Sequence, residues 1–246
     1  MTVLVVGATG ATGRLLVERL LSQGHQVKSI VRSVDRVPEA TRSHPRITLI
    51  EANLLDLSEA QLAAHVEGCS AIACLLGHRL SFQGIFGPPR RLVTDATRRL
   101  CGALKKTSTG EPRKYVLMNT AGNRNGDLEE PISFAQQCVV GLIRAAIPPH
   151  ADNEDAAEFL RVEIGQADAD VEWAAVRPDS LVDEDTATEY ELHPSPTRSA
   201  IFNPGTTSRI NVASFMAALI TDSDLWREWK GRMPVVYNKS LSERSN

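Results

Sequence analysis

Short apolar runs and amphipathic stretches alternate along the first half of the chain. The apolar runs are rich in Val and Ile, as is typical of buried strands, and they cover residues 2–6, 27–31, 47–51, 70–76 and 114–118. Between them, apolar residues recur every three or four positions, which predicts helices over residues 10–22, 58–66 and 91–106. This alternation predicts an α/β fold, in which a doubly wound, mainly parallel sheet carries helices on both faces.

The pattern is less regular in the second half. A polar stretch at 123–131 leads into a helix that the pair Pro148 and Pro149 is expected to stop, and a second helix is predicted to begin near Ala151. Residues 178–204 are rich in Pro, Ser, Thr and acidic residues and lack periodicity, which predicts a loop or a short excursion outside the main sheet. The other predicted elements are a strand over 171–176, a helix over 212–221 and a strand over 234–237. We expect residues 1–246 to form one domain, with a small C-terminal substrate-side lobe within 178–211.

The composition is that of an ordinary globular protein. Hydrophobic residues make up 42% of the chain and charged residues 23%, and 27 basic against 30 acidic residues give a net charge of −3. This balance gives no reason to expect nucleic acid as a partner, so a small-molecule substrate is expected, bound by a monomer or a homodimer. The clustered basic residues have helical spacing and are interpreted as a solvated helix face: Arg90, Arg91, Arg98, Arg99, Lys105 and Lys106.

Signals for membranes, export and metals are weak in this sequence. The apolar runs are too short to span a bilayer and the first residues do not have the pattern of a signal peptide, so a cytoplasmic location without a membrane partner is expected. No metal site is predicted, because the cysteines have no spacing suited to zinc. We interpret them as reduced packing residues: Cys69, Cys74, Cys101 and Cys138.

Three glycines three residues apart, Gly7, Gly10 and Gly13, stand where the first strand meets the first helix. In a Rossmann-type dinucleotide site such glycines allow a tight turn, the approach of a pyrophosphate to the backbone, and close packing of the helix on the sheet. The helix presents its first amides, from Ala11 on, to the phosphates. Turns and packing alone also select glycine, but the fixed period at a strand-to-helix junction favours a nucleotide site. Further candidate donors are the hydroxyls of Thr9 and Thr12.

The end of the second strand indicates which dinucleotide to expect. Arg32 and Ser33 stand where an NAD enzyme would place an acid on the ribose 2′-hydroxyl. A guanidinium can bind a 2′-phosphate with two hydrogen bonds, so NADP(H) is predicted in preference to NAD(H). The alternative stays open, because Arg32 can simply cap the strand end and Asp35 lies close to it.

These residues, together with several later segments, resemble the atypical short-chain dehydrogenase/reductase family, in its NmrA-like and bilin- or flavin-reductase-like group. The resemblance covers essentially the whole chain and rests on residues 7–13, 31–32, 51–56, 73–77, 115–122 and 173–178. It implies adenine near Asn53 and Leu54, although family members usually carry Asp at the position of Asn53. It also implies a nicotinamide between Leu76, Gly77, Asn119, Thr120 and Pro178.

The main departure from the family concerns the catalytic pair. Many relatives use Tyr-x-x-x-Lys, in which the lysine orients the ribose and the tyrosine passes a proton to the substrate carbonyl. The matching stretch holds His150 and Glu154. Four residues apart on a helix they share a face, and a carboxylate beside an imidazole favours the protonated ring, so His150 is predicted to donate a proton. Alternatively, Glu154 is only one of several acids favoured in a first helical turn, and His150 is a boundary residue.

Other candidate residues give weaker signals. Asn119 and Thr120 lie where relatives place a polarising serine, and either can hydrogen-bond a carbonyl oxygen, but such residues are also common turn formers. His78 follows the strand that ends near the expected nicotinamide, yet a lone loop histidine is often only solvated. Residues 80–89, with Phe82 and Phe86, are interpreted either as a lid over an apolar substrate or as packing against the next helix.

Two function hypotheses follow from these residues. The first is an NADP(H)-dependent reductase that transfers hydride to a small apolar acceptor of the ketone, quinone, flavin or bilin type. Flavins and quinones can take their proton from water, so such an enzyme can work without Tyr and Lys. The alternative is a non-catalytic NADP(H)-binding redox sensor or regulatory protein of the NmrA-like type, which the loss of Tyr and Lys favours.

Overall fold

The computed structural model describes residues 1–78, 87–128, 130, 148–200 and 202–239. Within them the strands are β1 (Thr2–Val6), β2 (Gln26–Val31), β3 (Ile47–Glu51), β4 (Ala71–Cys74), β5 (Arg113–Met118), β6 (Val171–Pro178), β7 (Ser180–Val182), β8 (Tyr190–His193), β9 (Thr206–Ser208) and β10 (Val235–Asn238). The helices are α1 (Ala11–Ser22), α2 (Glu39–Arg42), α3 (Glu59–Val66), α4 (Leu92–Lys106), α5 (Pro148–Glu158), α6 (Arg209–Thr221) and α7 (Ser223–Trp229). Short 3-10 turns lie at Val34–Arg36 and Leu54–Asp56, and α5 continues as a π-helical segment over Phe159–Ile164.

The main sheet has the strand order β3-β2-β1-β4-β5-β6-β10-β8. Neighbouring strands from β3 through β10 are parallel, and β8 is antiparallel to β10 at the edge. The direction of strand succession reverses between β1 and β4, and in open α/β sheets ligands bind in the crevice outside the carboxyl ends of the strands at this point. The predicted doubly wound, mainly parallel α/β fold is confirmed.

Helices cover both faces of the sheet. Val3 and Val5 belong to the buried cluster formed with α1 and α6, whereas Leu4 and Val6 belong to the cluster formed with α3 and α4. This follows from the period of a strand, in which successive side chains point to opposite faces. Because both faces of β1 are buried, its sequence is a continuous apolar run, and the strand is therefore visible without a structure.

The prediction for residues 178–204 is wrong in part. Strand β8 lies within this segment and pairs with β10, so the chain returns to the main sheet instead of staying outside it. Tyr190 and Leu192 of β8 pack against the core cluster, which gives this edge strand a partly buried face. The expected excursion corresponds to β7, which pairs with β9 in a separate two-stranded sheet.

Three helix predictions also need correction. Residues 148–150 are helical in α5 (Pro148–Glu158), although the helix was predicted to begin near Ala151. Proline is tolerated in the first turn of a helix, so the proline pair alone does not exclude a helix at these positions. Helix α6 begins at Arg209, before the predicted start at 212. Ser208 caps it, because its hydroxyl accepts a hydrogen bond from the amide of Asn211. Helix α7 was not predicted; its N-terminus is capped by the side chain of Asp222.

One residue of the basic helix face is not simply solvated. The guanidinium of Arg99 is half-buried and donates hydrogen bonds to the backbone carbonyls of Leu55 and Leu57. It therefore joins α4 to the turn that follows β3.

Several predictions lie outside the described residues: the helix before Pro148, Cys138, and most of the proposed lid with Phe82 and Phe86. Among the helices that the structure describes, none combines the length and the apolar character that a membrane span requires.

Candidate functional site

The glycine turn after β1 is shaped by close backbone contacts. Gly7 has a positive φ of +86°, and a Cβ on it would lie 2.4 Å from the carbonyl oxygen of Leu75. A Cβ on Gly13 would lie 2.1 Å from the carbonyl oxygen of Gly7, so neither position accepts a side chain without a shift of backbone. A Cβ on Gly10 would lie 3.2 Å from the carbonyl oxygen of Gly7. Gly7 and Gly13 are thus required by the fold, whereas Gly10 keeps the surface above the turn open.

Helix α1 begins at this turn with Gly10 as its N-cap, and no side chain caps it. The first amides of a helix have no partner inside the helix, and they carry a partial positive charge. An uncapped N-terminus beside a turn without side chains is suited to bind a diphosphate. The residues present therefore fit the dinucleotide that the sequence predicts.

A cleft of about 380 Å³ runs from this turn along the carboxyl ends of β1, β2 and β4. The described residues that line it include eight of the predicted cofactor residues: Gly7, Thr9, Gly10, Arg32, Asn53, Leu54, Leu76 and Gly77. Sequence reasoning missed Arg36, Ala52, Pro89 and Leu92, which also line it. Arg36 could have been found from its position four residues after Arg32, whereas Pro89 and Leu92 are brought there by tertiary packing.

The other predicted cofactor residues are not among the described residues that line the cleft. Ala11, Thr12 and Gly13 form the first turn of α1, and Thr12 and Gly13 are buried there. Ser33 precedes the short 3-10 turn after β2. Pro178 ends β6, and its carbonyl accepts a hydrogen bond of 2.8 Å from the amide of Ala121. Their roles stay predictions, as does that of Asn119.

The end of the cleft beyond β2 carries two exposed arginines, Arg32 and Arg36. No residue in the described part of the chain forms a hydrogen bond or an ion pair with either guanidinium. The nearby carboxylate of Asp35 instead contacts Arg42 at 3.2 Å. At the same end, the amide nitrogen of Asn53 donates to Asp56 at 2.9 Å.

The amide of Asn119 is engaged within the protein. Its nitrogen donates to the carbonyl of Asn153 at 2.9 Å, and its oxygen accepts from the backbone amide of Thr120 at 2.8 Å and from the side chain of Asn123. Asn119 is buried and joins the end of β5 to α5. Of the two neighbours proposed to polarise a carbonyl, the geometry leaves Thr120 the more accessible.

His150 and Glu154 lie one turn apart on α5, as predicted, with 3.6 Å between Nδ1 and Oε1. Both side chains are mostly buried. The imidazole Nε2 of His150 and the hydroxyl of Thr120 both lie within 4 Å of the place that a Cβ on Gly122 would take. The structure therefore brings these three predicted catalytic residues together near the end of β5. They are not among the described residues that line the cofactor cleft.

His78 lines the cleft and forms a buried pair with Asp152 of α5. The distance between His78 Nε2 and Asp152 Oδ2 is 2.7 Å, and the two side chains are 5% and 0% exposed. The carboxylate also accepts hydrogen bonds from the backbone amides of Val93 and Thr94, at 2.8 and 2.9 Å, and from the hydroxyl of Thr94 at 2.7 Å. Helix α4 has no side-chain cap of its own at Arg91, so Asp152 caps it from another helix.

A buried guanidinium at the end of β6 joins several stretches of chain beyond this strand. Arg177 is fully buried and donates to the carbonyls of Met233, Asn123 and Pro194 at 2.7, 2.9 and 2.9 Å. Burial lowers the pKa of Arg177, while the ion pair with Glu130 at 2.8 Å acts in the opposite direction.

Asp179, which follows Pro178, accepts a hydrogen bond from the amide of Gly205 at 2.9 Å, and burial raises the pKa of its carboxyl. This hydrogen bond joins the residue after β6 to the residue before β9.

The tyrosines do not supply the usual catalytic pair of the family. None of Tyr115, Tyr190 and Tyr237 is followed by a lysine four residues later in the sequence. Tyr115 is fully buried, donates to Thr97 at 3.1 Å, and has a pKa raised by burial, so it is a core residue.

The described cysteines, Cys69, Cys74 and Cys101, are free and buried, and burial raises the pKa of each thiol. This agrees with their interpretation as packing residues.

The sheet order, the glycine turn and the cleft define a protein of the dinucleotide-binding class with a Rossmann-type fold. The model of the NAD(P)H-binding family matches residues 7–223, and the chain belongs to this family. One curated relative is an uncharacterized chloroplast protein of Arabidopsis thaliana, 30% identical over 118 residues, which are 48% of this chain and 40% of the relative. Another is a 3-diazoavenalumate denitrifying reductase of Streptomyces, 45% identical over 106 residues, which are 43% of this chain and 34% of the relative. The chain thus spans less than half the length of these relatives.

Solved structures share the fold over nearly the whole chain. A short-chain dehydrogenase/reductase of Veillonella parvula in complex with NADP has a TM-score of 0.69 and 17% identity, with 97% of this chain and 95% of that chain covered. The anaerobilin reductase ChuY of Escherichia coli O157:H7 has a TM-score of 0.67 and 17% identity, with 98% of both chains covered. The expected resemblance to NAD(P)-binding short-chain dehydrogenases/reductases is confirmed by the NAD(P)H-binding family of the chain and by the fold that it shares with them.

Proposed function

We propose that the protein is an NADP(H)-dependent reductase that transfers hydride to a small apolar acceptor of the ketone, quinone, flavin or bilin type. The observation that carries the proposal is the cleft itself. One end has the uncapped N-terminus of α1 above the glycine turn, and the other end has the guanidinium groups of Arg32 and Arg36. A dinucleotide with a phosphate on its adenosine ribose matches both ends.

The preference for NADP(H) over NAD(H) is supported by the charges around β2. An NAD site at this position usually carries an acid that accepts from the ribose 2′-hydroxyl. The nearest acid in sequence, Asp35, is engaged by Arg42 at 3.2 Å, whereas Arg32 and Arg36 line the cleft. The Veillonella parvula protein, which shares the fold, was solved in complex with NADP, and this supports the assignment.

The redox role is supported by the similar proteins. The Streptomyces relative is a 3-diazoavenalumate denitrifying reductase, and ChuY, which shares the fold, is an anaerobilin reductase. When bound, NADPH supplies the hydride, and this chain binds it, orients the acceptor and excludes water from the reacting atoms.

The second candidate is a non-catalytic NADP(H)-binding sensor. The observation that favours it is the absence of a lysine four residues after any tyrosine in the sequence, together with His150 and Glu154 in the matching stretch. A sensor needs the cofactor cleft but not a proton donor.

Turnover separates the two candidates. Purified protein is mixed with NADPH and a panel of quinones, free flavins, biliverdin, ketones and aldehydes, and NADPH loss is followed by absorbance. A reductase oxidises NADPH with at least one class of acceptor. Tight NADPH binding without turnover on any member of the panel would support the sensor, and no binding of either dinucleotide would contradict both candidates.

Cofactor preference is tested at Arg32. Arg32→Ala is expected to raise the Kd for NADPH by about tenfold or more and to change the Kd for NADH by less than about twofold, because only NADPH has the 2′-phosphate. The matched control is Arg227→Ala, which removes an arginine that is 71% exposed and paired with Asp224 on α7. Equal losses for the two dinucleotides in Arg32→Ala would overturn the 2′-phosphate assignment.

A further inference from the structure

A second cavity, of about 580 Å³, lies beside β6 and the stretch of chain that leads into β10. It is larger than the cofactor cleft, and the described residues that line the two spaces have no member in common. Its walls come from residues 125–128, 165–166, 171–173 and 230–233, together with Pro194 and Arg227. The dinucleotide assigned to the cleft therefore does not account for this cavity.

Hydrogen bonds close the cavity on the side of β6. The amide of Gly231 donates to the carbonyl of Trp173 at 2.6 Å, and the indole nitrogen of Trp173 donates to the carbonyl of Gly165 at 2.7 Å. The side-chain amide of Gln166 donates to the carbonyl of Gly231 at 2.8 Å and fills the place that a Cβ on Gly231 would take. A Cβ on Gly165, in contrast, would meet nothing within 4 Å. The space is thus closed at Gly231 and open beside Gly165.

Part of the lining is apolar. It is contributed by Leu128, Val171, Pro194 and Met233. Leu128 is 38% exposed, which places it among the few described large apolar residues that solvent reaches to this extent. A ligand with an apolar body would remove this surface from water.

The two acids among the described lining residues are already paired. One carboxylate oxygen of Glu172 accepts from Lys230 at 2.5 Å, and the other accepts from the indole nitrogen of Trp226 at 2.6 Å. Asp127 is paired with Arg161. These carboxylates are therefore neutralised by the protein itself, so they do not favour a cationic ligand.

Two donors of the lining have no acceptor. Arg232 is exposed, and no residue in the described part of the chain accepts from its guanidinium, whereas Arg227 is paired with Asp224 at 3.0 Å. Asn125 is only 6% exposed. Its side-chain oxygen accepts from the amide of Asp127 at 3.0 Å, but its side-chain nitrogen donates to none of the described residues. Side chains buried to this extent usually have their polar atoms paired, so this nitrogen indicates a missing acceptor.

We propose that this cavity binds a small organic acid. Its carboxylate accepts from the guanidinium of Arg232 and from the side-chain nitrogen of Asn125, and its apolar body lies against Leu128 and Met233. A carboxylate has acceptors for both donors and complements the positive charge of Arg232. The inference goes beyond the proposed function, because this site needs neither the cofactor nor hydride transfer.

Calorimetric titration with two matched probes tests the site. Naphthoate carries the carboxylate and an apolar body, and naphthamide has the same body without the charge. Naphthoate is expected to bind with a Kd at least about tenfold lower than that of naphthamide. Its Kd should be the same in the presence of saturating NADPH, because the cofactor cleft is a separate space.

Two variants locate the bound probe. Arg232→Gln removes the charge, and Asn125→Asp keeps the acceptor for the amide of Asp127 but replaces the donor with a negative charge. Each should raise the Kd for naphthoate by about tenfold or more, with the NADPH Kd unchanged. The matched control is Arg46→Gln, at an exposed arginine that precedes β3 at the opposite edge of the main sheet, and it should bind naphthoate as the wild type does.

Four results would overturn the inference: no saturable binding of naphthoate, equal affinity for the two probes, displacement of naphthoate by NADPH, or an unchanged naphthoate Kd in Arg232→Gln. Thermal unfolding shows whether each variant is folded. If Asn125→Asp does not fold, Arg232→Gln decides alone, because its side chain is exposed and its guanidinium has no partner in the described part of the chain.

Discussion

The N-terminal βαβ region, residues 1–56, and the region around α5 achieve their geometry in different ways. In the N-terminal region, the shape depends on backbone: Gly7 and Gly13 leave no room for a Cβ, and α1 exposes amides that no side chain caps. Around α5, the shape depends on hydrogen bonds made by polar side chains. Asn119 donates to the carbonyl of Asn153, and the carboxylate of Asp152 accepts from His78 and from the first amides of α4. Binding of a common cofactor therefore depends on local backbone, whereas the residues suited to chemistry are held by long-range polar contacts.

The largest expected effect comes from breaking the polar network. Asp152→Ala removes the carboxylate that accepts from the buried amides of Val93 and Thr94 and from the imidazole of His78, so we expect a loss of about 3 kcal/mol in the free energy of unfolding. The hydroxyl of Thr94 keeps an acceptor, because it also donates to the backbone carbonyl of Asp152 at 2.9 Å. For a chain of this size the Tm should fall by about 6–12 °C. The matched control is Asp155→Ala on the same helix, whose carboxylate is 37% exposed and 3.5 Å from Arg91. If both variants unfold at the same temperature, the network does not hold α5.

A smaller effect, in binding and not in folding, is expected at the glycine turn. Gly10 has φ −79° and ψ 163°, which alanine also adopts, and its Cβ would be 3.2 Å from the Gly7 carbonyl, so Gly10→Ala should fold. The methyl group would occupy the open surface of the cleft, and the NADPH Kd should rise by about tenfold. Calorimetric titration gives the Kd, and thermal unfolding gives the Tm. Unchanged affinity would mean that no phosphate approaches this backbone.

The control for that variant is Gly102→Ala in the middle of α4, where a Cβ would meet nothing within 4 Å. Alanine costs less than glycine inside a helix, so Gly102→Ala should stabilise the protein by about 0.5–1 kcal/mol and leave the NADPH Kd unchanged.

The smallest effect is expected at Asp179, in the lobe beyond β6. Because burial raises the pKa of its carboxyl in the folded protein, the charged form costs stability, and that cost builds up as pH rises from the unfolded pKa to the higher folded pKa. Asp179→Asn still accepts from the Gly205 amide, so at about pH 7 its Tm should exceed that of the wild type by about 2 °C. The difference should vanish below the usual value of 3.8, where both side chains are neutral. A Tm at neutral pH below that of the wild type would contradict this reasoning, and Asp183→Asn, at an acid 79% exposed, should show no such rise.

The first half of the fold was predictable because its signals are local. The run of β1, the glycines and the apolar period of α1 lie within about twenty residues, and each restricts the backbone directly. Strand β8 was missed because it has only four residues, each half-buried, and its pairing partner β10 lies far along the chain. Residues 148–150 were not predicted as part of α5, because proline both stops and starts helices and the sequence does not distinguish the two.

The candidate site was predictable only where backbone defines it. Arg32, Gly7 and Gly10 could be placed by their distance from strand ends, and they do line one cleft. The contact of His78 with Asp152 joins residues 74 positions apart, and no pattern in the sequence links them. Nothing in the sequence distinguished Asp152 from the other acids of α5, because the helix that it caps is α4.

Arg177 limits which segments of this chain can be exchanged with those of related proteins. Its guanidinium donates to the carbonyls of Asn123, Pro194 and Met233, which belong to three separate stretches of chain. An exchange that moves one of these carbonyls would leave a buried donor without its acceptor and would disturb the other two stretches. Segments from related proteins should therefore be inserted between Pro194 and Gly205, where the exchange leaves all three carbonyls in place.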